Sequence, residues 1–310
     1  TTTDAPEAAP LGDARVRAFP VFQPLCAHLG GLDPLSAMQL LFSSLPGDAA
    51  GGHTPADLVA AVGVAAALGV RASGGGAPIA PKADLSHAAD LLRMMGEDEG
   101  DARKVRALEI YLVAMSEHGL NASTFAARVV ASTRAGLKPC VLAALSAFGG
   151  PLHGGAPSLV LDMLDEIGPP AGAGAVVARK LERGERLFGF GSRGYHGRDP
   201  RTDLFKARHL DMFGRTERFD AAEAAEAAIL GRLRLAKPGR AIETNVEYYG
   251  ALLLEAIGVP RCGFTPVFAA ARCAGWIAHS REEARDGRLM RPAARYVGAL
   301  PDPRAWPADA

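Results

Sequence analysis

"GFGSRGYHGRDPR", residues 189–201, forces a choice between two kinds of fold. Gly189, Gly191 and Gly194 satisfy GxGxxG, a spacing that marks a dinucleotide-binding turn only when an apolar strand precedes it and a helix opens directly after it. Neither flank qualifies. The preceding "ARKLERGERLF" is charged and helix-like, and Pro200 interrupts the segment on the other side. The glycines are better suited to letting backbone approach a ligand closely, with Arg193, Arg198 and Arg201 nearby for carboxylates or phosphates. On the loop alone, a solvated turn with its arginines in water is the competing reading.

Outward from this loop the pattern is helical. In "KVRALEIYLVAMSEHG", Leu108, Tyr111, Leu112 and Met115 recur at i, i+3, i+4 and i+7, which predicts a helix ending at Gly119 and places His118 at its C-terminal end. "SLVLDMLDEIG" carries the stripe Val160, Leu161, Leu164 and Ile167, stopped by Gly168 and two prolines. "RFDAAEAAEAAILGRLRLAKPG" predicts a helix capped by Asp220. "NVEYYGALLLEAIGVP" predicts one from an Asn cap to Gly258 and Pro260, and "TPVFAAARCAGWIAHS" one beginning at Thr265 with proline in first helical position. Alternating β-branched runs are scarce, so the chain reads as mostly α with short strands at most. Residues 1–12, polar and rich in Pro and Ala, read as a frayed arm, and "RASGGGAPIAPKA" from Arg71 as a loop or hinge.

Composition narrows the function. The 310 residues hold 34 basic and 34 acidic side chains, so no long-range field draws the chain to nucleic acid or anionic lipid, and any bound anion must be gripped locally. Cys26, Cys140, Cys262 and Cys273 form no CxxC pair and no signal-peptide pattern opens the chain, which points away from disulfides and structural zinc and toward a cytoplasmic setting. "ADLVAAVGVAAALGV" from Ala56 falls short of the about 18 apolar residues of a membrane span. No metal-ligand constellation is visible, and the "NAS" at Asn121 has no meaning as a glycosylation site without a secretory signal. In "GGPLHGG", residues 149–155, His153 sits between glycine pairs just before the helix expected near Ser158. Such a cradle offers the ring few packing partners, so it is expected to face a cavity, where a neutral imidazole N–H suits a developing oxyanion.

"HGLNASTFAARVVAST", "GGPLHGGAPSLVLDML", "GFGSRGYHGRDPR", "NVEYYGALLLEAIGVP" and "FTPVFAAARCAGWIAHSREE" with "RPAARYVG", in this order from about Leu32 to Gly298, resemble the citrate synthases, including methylcitrate synthases and citryl-CoA lyases. The resemblance implies a mainly α citrate synthase fold with a large helical domain and a smaller one. The expected boundaries are 1–152 for the first part of the large domain, 153–257 for the small domain and 258–310 for the remainder of the large one. It implies a homodimer that joins the acyl group of acetyl-CoA or propionyl-CoA to the ketone of oxaloacetate or a related 2-oxo acid, then hydrolyses the thioester. No tightly bound cofactor, metal, nucleic acid or membrane is implied. By motif, His153 resembles the histidine that hydrogen-bonds the thioester oxygen and His118 the one that binds oxaloacetate. Arg201, Arg272 and Arg291 match the carboxylate clamp, the last reaching in from the partner subunit. Arg193, Gly189 and Gly191 lie where the family holds CoA. His28, His53, His87, His209 and His279 match no catalytic position and read as structural or solvated.

Two catalytic positions depart from the family pattern. Ser192 stands where the family has the histidine of GFGHR, which polarises the oxaloacetate ketone, and Glu247 where it has the aspartate of NVD, which removes the methyl proton. A glutamate keeps the acid chemistry but delivers it from one methylene further out, and a misplacement of about 1 Å costs on the order of a hundredfold in rate. A hydroxyl cannot carry positive charge, and losing one oxyanion donor costs about 10² to 10³. Arg193 or His196 is the neighbouring group that would have to rotate in. Three outcomes stay open: a condensing enzyme with weakened or redirected activity, a degenerate homologue that binds a dicarboxylate or CoA thioester, and a lyase working in the cleavage direction.

Overall fold

The computed structural model describes residues 8–47, 52–150, 153–154, 156–168, 172–191 and 197–299, with residues 8–10 and 156 as backbone only. Ser192 and Arg193 fall outside the described residues. Thirteen α-helices account for most of the described chain, and the one β pairing among these residues is an isolated bridge between Phe190 and Thr244.

The core is organised around α3 (Pro55–Ser73), whose residues 60–70 are all buried, whichever face they lie on. A helix apolar all round has no solvent face to offer, so it sinks to the centre. It starts at a reciprocal capping box of Thr54 and Asp57, with Pro55 in the first turn where no N–H partner is needed. Around it pack α1 (Ala8–Phe22), α2 (Pro34–Ser43), α4 (His87–Met95) and α13 (Phe264–Asp286). Small residues set these distances: a methyl on Gly69 would sit 2.6 Å from the Pro34 carbonyl, and one on Gly63 2.8 Å from the His87 ring. The length expected from sequence is corrected here. α3 is 19 residues with a mean hydropathy of 1.5, enough by length and composition to cross a bilayer, yet 67% of it is buried against protein.

α5 (Ala102–Met115), α6 (Ala122–Ser132) and α7 (Leu137–Phe148) extend the core along α13. Next in the chain come α8 (Ala156–Ile167), α9 (Ala173–Glu182), α10 (Pro200–Phe213), α11 (Glu217–Ala236) and α12 (Val246–Ala256). Within this second group α12 packs on α8 and α10, and α11 on α9; α12 and α10 also reach α5.

Several helix ends differ from the sequence reading. α1 begins at Ala8 and is locked by buried Arg15, which donates to Asp90 at 2.8 Å and to the carbonyls of Lys82 and Leu85, so residues 8–12 of the expected arm are helical, and residues 1–7 lie outside the described residues. α5 stops at Met115, leaving His118 three residues beyond its end, and Gly119 takes the left-handed conformation (φ 60°) in the next turn. α11 is capped by Thr216, whose side chain accepts from the Phe219 N–H, while Asp220 lies inside its first turn. α13 begins at Phe264 after a short 3-10 turn, with Pro266 at its third residue rather than its first. α12 begins at its Asn245 cap as expected.

Candidate active site

The turn after α5, the N-termini of α10 and α12, and the middle of α13 converge. Asp199 caps α10, accepting from the Arg201 N–H, and its carboxylate also takes the Arg201 guanidinium at 3.0 Å (Nε) and 2.7 Å (Nη2). Asp-Pro-Arg is therefore a local unit: a cap, a residue that starts the helix, and a guanidinium held in plane by the cap. The same Nη2 lies 2.9 Å from His118 Nδ1.

Guanidinium only donates, so His118 Nδ1 accepts and the remaining ring proton resides on Nε2. Burial, reinforced by Arg201 and Arg272, lowers the His118 pKa to about 4, which keeps the ring neutral and leaves Nε2–H as a donor. Arg272, from α13, is buried; its Nε donates to the Met115 carbonyl at 2.7 Å, and the guanidinium lies 5.2 Å from the Phe268 ring centre. Burial and the neighbouring Arg201 pull it down to about 10, so it stays cationic at neutral pH. Among the described residues Arg272 has no carboxylate partner. A buried cation in that state is costly unless an anion joins it.

Glu247 lies just past the α12 cap: Asn245 accepts from its main-chain N–H at 3.0 Å. Burial raises the Glu247 carboxyl to about 7, against the opposing pull of Arg186 and Arg201. Buried Tyr111 lies within electrostatic reach of Glu247, Arg272 and Arg201, which puts the carboxylate and both guanidiniums in one neighbourhood. His153 is half-buried, and its ring meets Phe148 edge-on at 5.1 Å. The Ser123 main-chain N–H points at His153 Nε2 (3.3 Å) and Ser123 Oγ lies 2.8 Å from it, while Oγ also accepts from the buried Trp276 indole at 3.0 Å. Ser123 Oγ also donates to Asn121 Oδ1 at 2.8 Å, so one hydroxyl ties the His153 ring to the α6 cap and to Trp276. Burial and then Arg272 lower the His153 pKa, so this imidazole too is neutral.

The glycine loop is held to the α12 N-terminus. Gly191 N–H donates to the Glu243 carbonyl (2.8 Å), Asn245 N–H to the Gly189 carbonyl (2.8 Å), and Asn245 Nδ2 to the Gly191 carbonyl (2.9 Å). Both glycines have φ near +80°, and a methyl on Gly189 would lie 2.8 Å from the Tyr248 ring. The close approach that Gly189 permits is to protein.

The structure thus brings together His118, Arg201, Arg272, Glu247 and His153. It does not bring Arg291 to them: that residue is exposed on the segment after α13 and makes no hydrogen bond or ion pair among the described residues. Sequence reasoning missed Tyr111, assigned to an apolar stripe, together with Ser123 and the Met115 carbonyl. The Asp199 cap had a visible signal in its Asp-Pro pair. A separate cleft of about 880 Å³ between α6, α7 and α13 contains Glu117 and His279 but none of these five residues. No group of three or more His, Cys, Asp or Glu suited to a metal ion occurs among the described residues.

The citrate synthase C-terminal domain family model matches residues 18–293. The chain belongs to the citrate synthase family. It is 46% identical over 209 residues to a putative citrate synthase 2 of Mycobacterium tuberculosis, covering 67% of this chain and 55% of the relative. It is 38% identical over 232 residues to the citrate synthase of Deinococcus radiodurans, covering 74% and 60%. In those alignments the chain spans little more than half the length of each curated relative. Its fold is the all-α citrate synthase fold. Thermotoga maritima citrate synthase superposes with a TM-score of 0.80 at 32% identity, over 95% of this chain and 80% of that one. Citrate synthase of Thermoplasma acidophilum, solved with carboxymethyl coenzyme A and oxaloacetate, superposes with a TM-score of 0.83 at 24% identity, over 94% and 81%, and supports the fold alone.

Proposed function

We propose that this protein is a citrate synthase-like acyltransferase that condenses acetyl-CoA or propionyl-CoA with oxaloacetate or a related 2-oxo acid. The observation that carries the reading is buried Arg272 without a carboxylate partner among the described residues, beside the Arg201–His118 pair, a cationic pocket that a planar dicarboxylate would complete. In this reading Arg201, Arg272 and His118 Nε2–H hold the acid. Glu247, whose carboxyl burial raises to about 7, takes an α-proton of the thioester, and the neutral His153 ring donates a hydrogen bond to the thioester oxygen as the enol forms. The enol carbon attacks the ketone, and hydrolysis of the resulting thioester releases CoA. Acyl-CoA is a substrate here, and the reaction needs no resident cofactor.

Ser192 sets the expected pace. It offers the developing alkoxide one neutral hydrogen bond where the family motif offers an imidazole, so turnover is weakened or directed to another acceptor. The same substitution favours one alternative, a degenerate homologue that binds the dicarboxylate or CoA thioester; cleavage of a citryl thioester would use the same residues in reverse. The active form is proposed to be a cytoplasmic homodimer in which Arg291 completes the partner's site, with CoA against Gly189, Gly191 and Arg193. Residues 153–257 are proposed to form the small domain, closing on a large domain of 1–152 and 258–310.

The test is release of free thiol from acetyl-CoA and propionyl-CoA with oxaloacetate, for wild type beside Ser192→His and the Ser192→His, Glu247→Asp double variant. Wild-type turnover that falls when histidine is restored means a reorganised, working site. Silence in wild type with activity in the double variant means a scaffold that has lost this reaction. Silence in all three, with no heat from oxaloacetate in calorimetry, removes the proposal.

A further inference from the structure

We infer that Glu226, on α11, is a positioning residue: its buried carboxylate fastens the segment carrying Glu247 to the segment carrying Arg201 and so sets the distance between proton acceptor and carboxylate clamp. The inference rests on the roles proposed above for those two residues.

Glu226 lies outside every motif that defines the site, and α11 carries none of the site residues. Its side chain is nonetheless buried, and four donors converge on it. Thr244 Oγ1 donates to Oε1 at 2.6 Å and the Tyr249 hydroxyl to Oε2 at 2.5 Å. Arg198 Nη1 lies 3.5 Å from Oε1 and Lys206 Nζ 3.5 Å from Oε2, each cation also holding a nearer carboxylate, Asp203 at 2.6 Å and Glu223 at 2.8 Å.

These donors come from two places. Thr244 and Tyr249 bracket the α12 N-terminus: Thr244 precedes the Asn245 cap and bridges to Phe190 in the glycine loop, while Tyr249 lies two residues beyond Glu247. Arg198 and Lys206 bracket the α10 N-terminus, where Asp199 holds Arg201 against His118. A direct bond between the two segments, Thr202 Oγ1 to the Thr244 carbonyl at 3.4 Å, joins neutral groups, whereas the 3.5 Å contacts of the carboxylate to Arg198 and Lys206 join opposite charges. Ionised acceptors make hydrogen bonds roughly twice as strong as neutral ones, and a carboxylate has enough lone pairs to serve all four donors. Carboxamide could not: Gln at this position keeps the volume but turns one oxygen into a donor facing another donor.

The test compares wild type with Glu226→Gln by two readouts. The first is amide hydrogen exchange. The fastening predicts that residues 198–203 and 243–249 lose protection together, while α3 and α13 do not change. Loss in one segment alone, or in neither, overturns it. This readout does not depend on turnover, so an inactive wild type would count against the proposed function and leave the inference still tested.

The second readout is thiol release. For an active wild type, a displacement of this kind lowers kcat by about 10- to 100-fold with the acyl-CoA KM within twofold. A lowered melting temperature with unchanged kcat would make Glu226 a stabilising residue only and overturn the inference. Should Glu226→Gln fail to fold, Thr244→Val, which removes one donor and keeps the branched shape, serves instead, with the same paired loss of protection expected and exchange unaltered from wild type overturning the fastening.

Discussion

The helices around α3 and those around α12 are built by different means. α3 meets its neighbours mainly through Ala, Val, Leu and Gly; the buried Arg15–Asp90 pair ties α1 to α4, and buried Arg272 and Glu283 stand on α13. The α8–α12 group is buried too, but its ends and edges are fixed by carboxylates and guanidiniums. Asp199 holds Arg201, Glu226 gathers four donors, and Arg261 and Arg218 pair with Asp162, Asp165 and Glu255 at the surface. Apolar packing is stiff and indifferent to pH, whereas ionic ties can be weakened by charge or salt. Arg272 and Trp276 stand on α13, in the packed half, and Glu247 and Arg201 in the ionic half. These residues lie where the two styles meet, one arginine set in apolar packing and the other held by an ion pair.

The sharpest way to break this contrast is at Glu247. Glu247→Gln is expected to lower thiol release by about 10² to 10⁴, the usual reach of a general base. The sign for stability is opposite. A carboxyl raised from 4.5 to about 7 contributes its full stability below pH 4.5 and loses it as pH rises through about 7, where ionisation in a buried place is penalised. The variant should therefore gain melting temperature relative to wild type between pH 5 and pH 8, which differential scanning calorimetry reads directly.

Leu68→Ala on α3 should do the reverse, costing about 2 to 5 kcal/mol in urea unfolding while the folded fraction keeps its KM for both substrates. Arg201→Lys keeps the charge but loses the fork that spans Asp199 and His118; calorimetry should show oxaloacetate binding weakened by about 10- to 100-fold, the worth of a hydrogen bond to a charged group. Arg261→Ala is the smallest expected change. Its partners are solvent-exposed, and urea unfolding should shift by less than about 1 kcal/mol.

The same contrast governs how much was legible in the sequence. Apolar periodicity announced α5 and α8 and an Asn cap announced α12, and motif order nominated His118, His153, Arg201 and Arg272, which the fold brings into one neighbourhood, because these depend on local spacing. Helix ends were less legible. Asp220 and Thr216 are both good caps in sequence, and only the fold shows Asp220 inside the first turn, where it pairs with Arg215. Glu217, Glu223 and Glu226 all look like solvated glutamates of an Ala-rich helix, yet one is buried under Thr244 and Tyr249, partners some 20 residues further along. Tyr111 obeys the same rule in reverse: its spacing marked it as core, and it is core, but its neighbours across the chain are Glu247 and two arginines. Long-range partners decide these roles, and a single sequence does not print them.

The central claim is that oxaloacetate-dependent condensation runs on Glu247 in a dicarboxylate pocket. The most direct measurement is thiol release from acetyl-CoA, with and without oxaloacetate, monitored from pH 5.5 to 9. The expected result is a rate that requires oxaloacetate and rises with pH through an apparent pKa near 7, as the Glu247 carboxylate forms. That limb should be absent in Glu247→Gln. A rate indifferent to oxaloacetate, or one flat between pH 6 and 8, would contradict it.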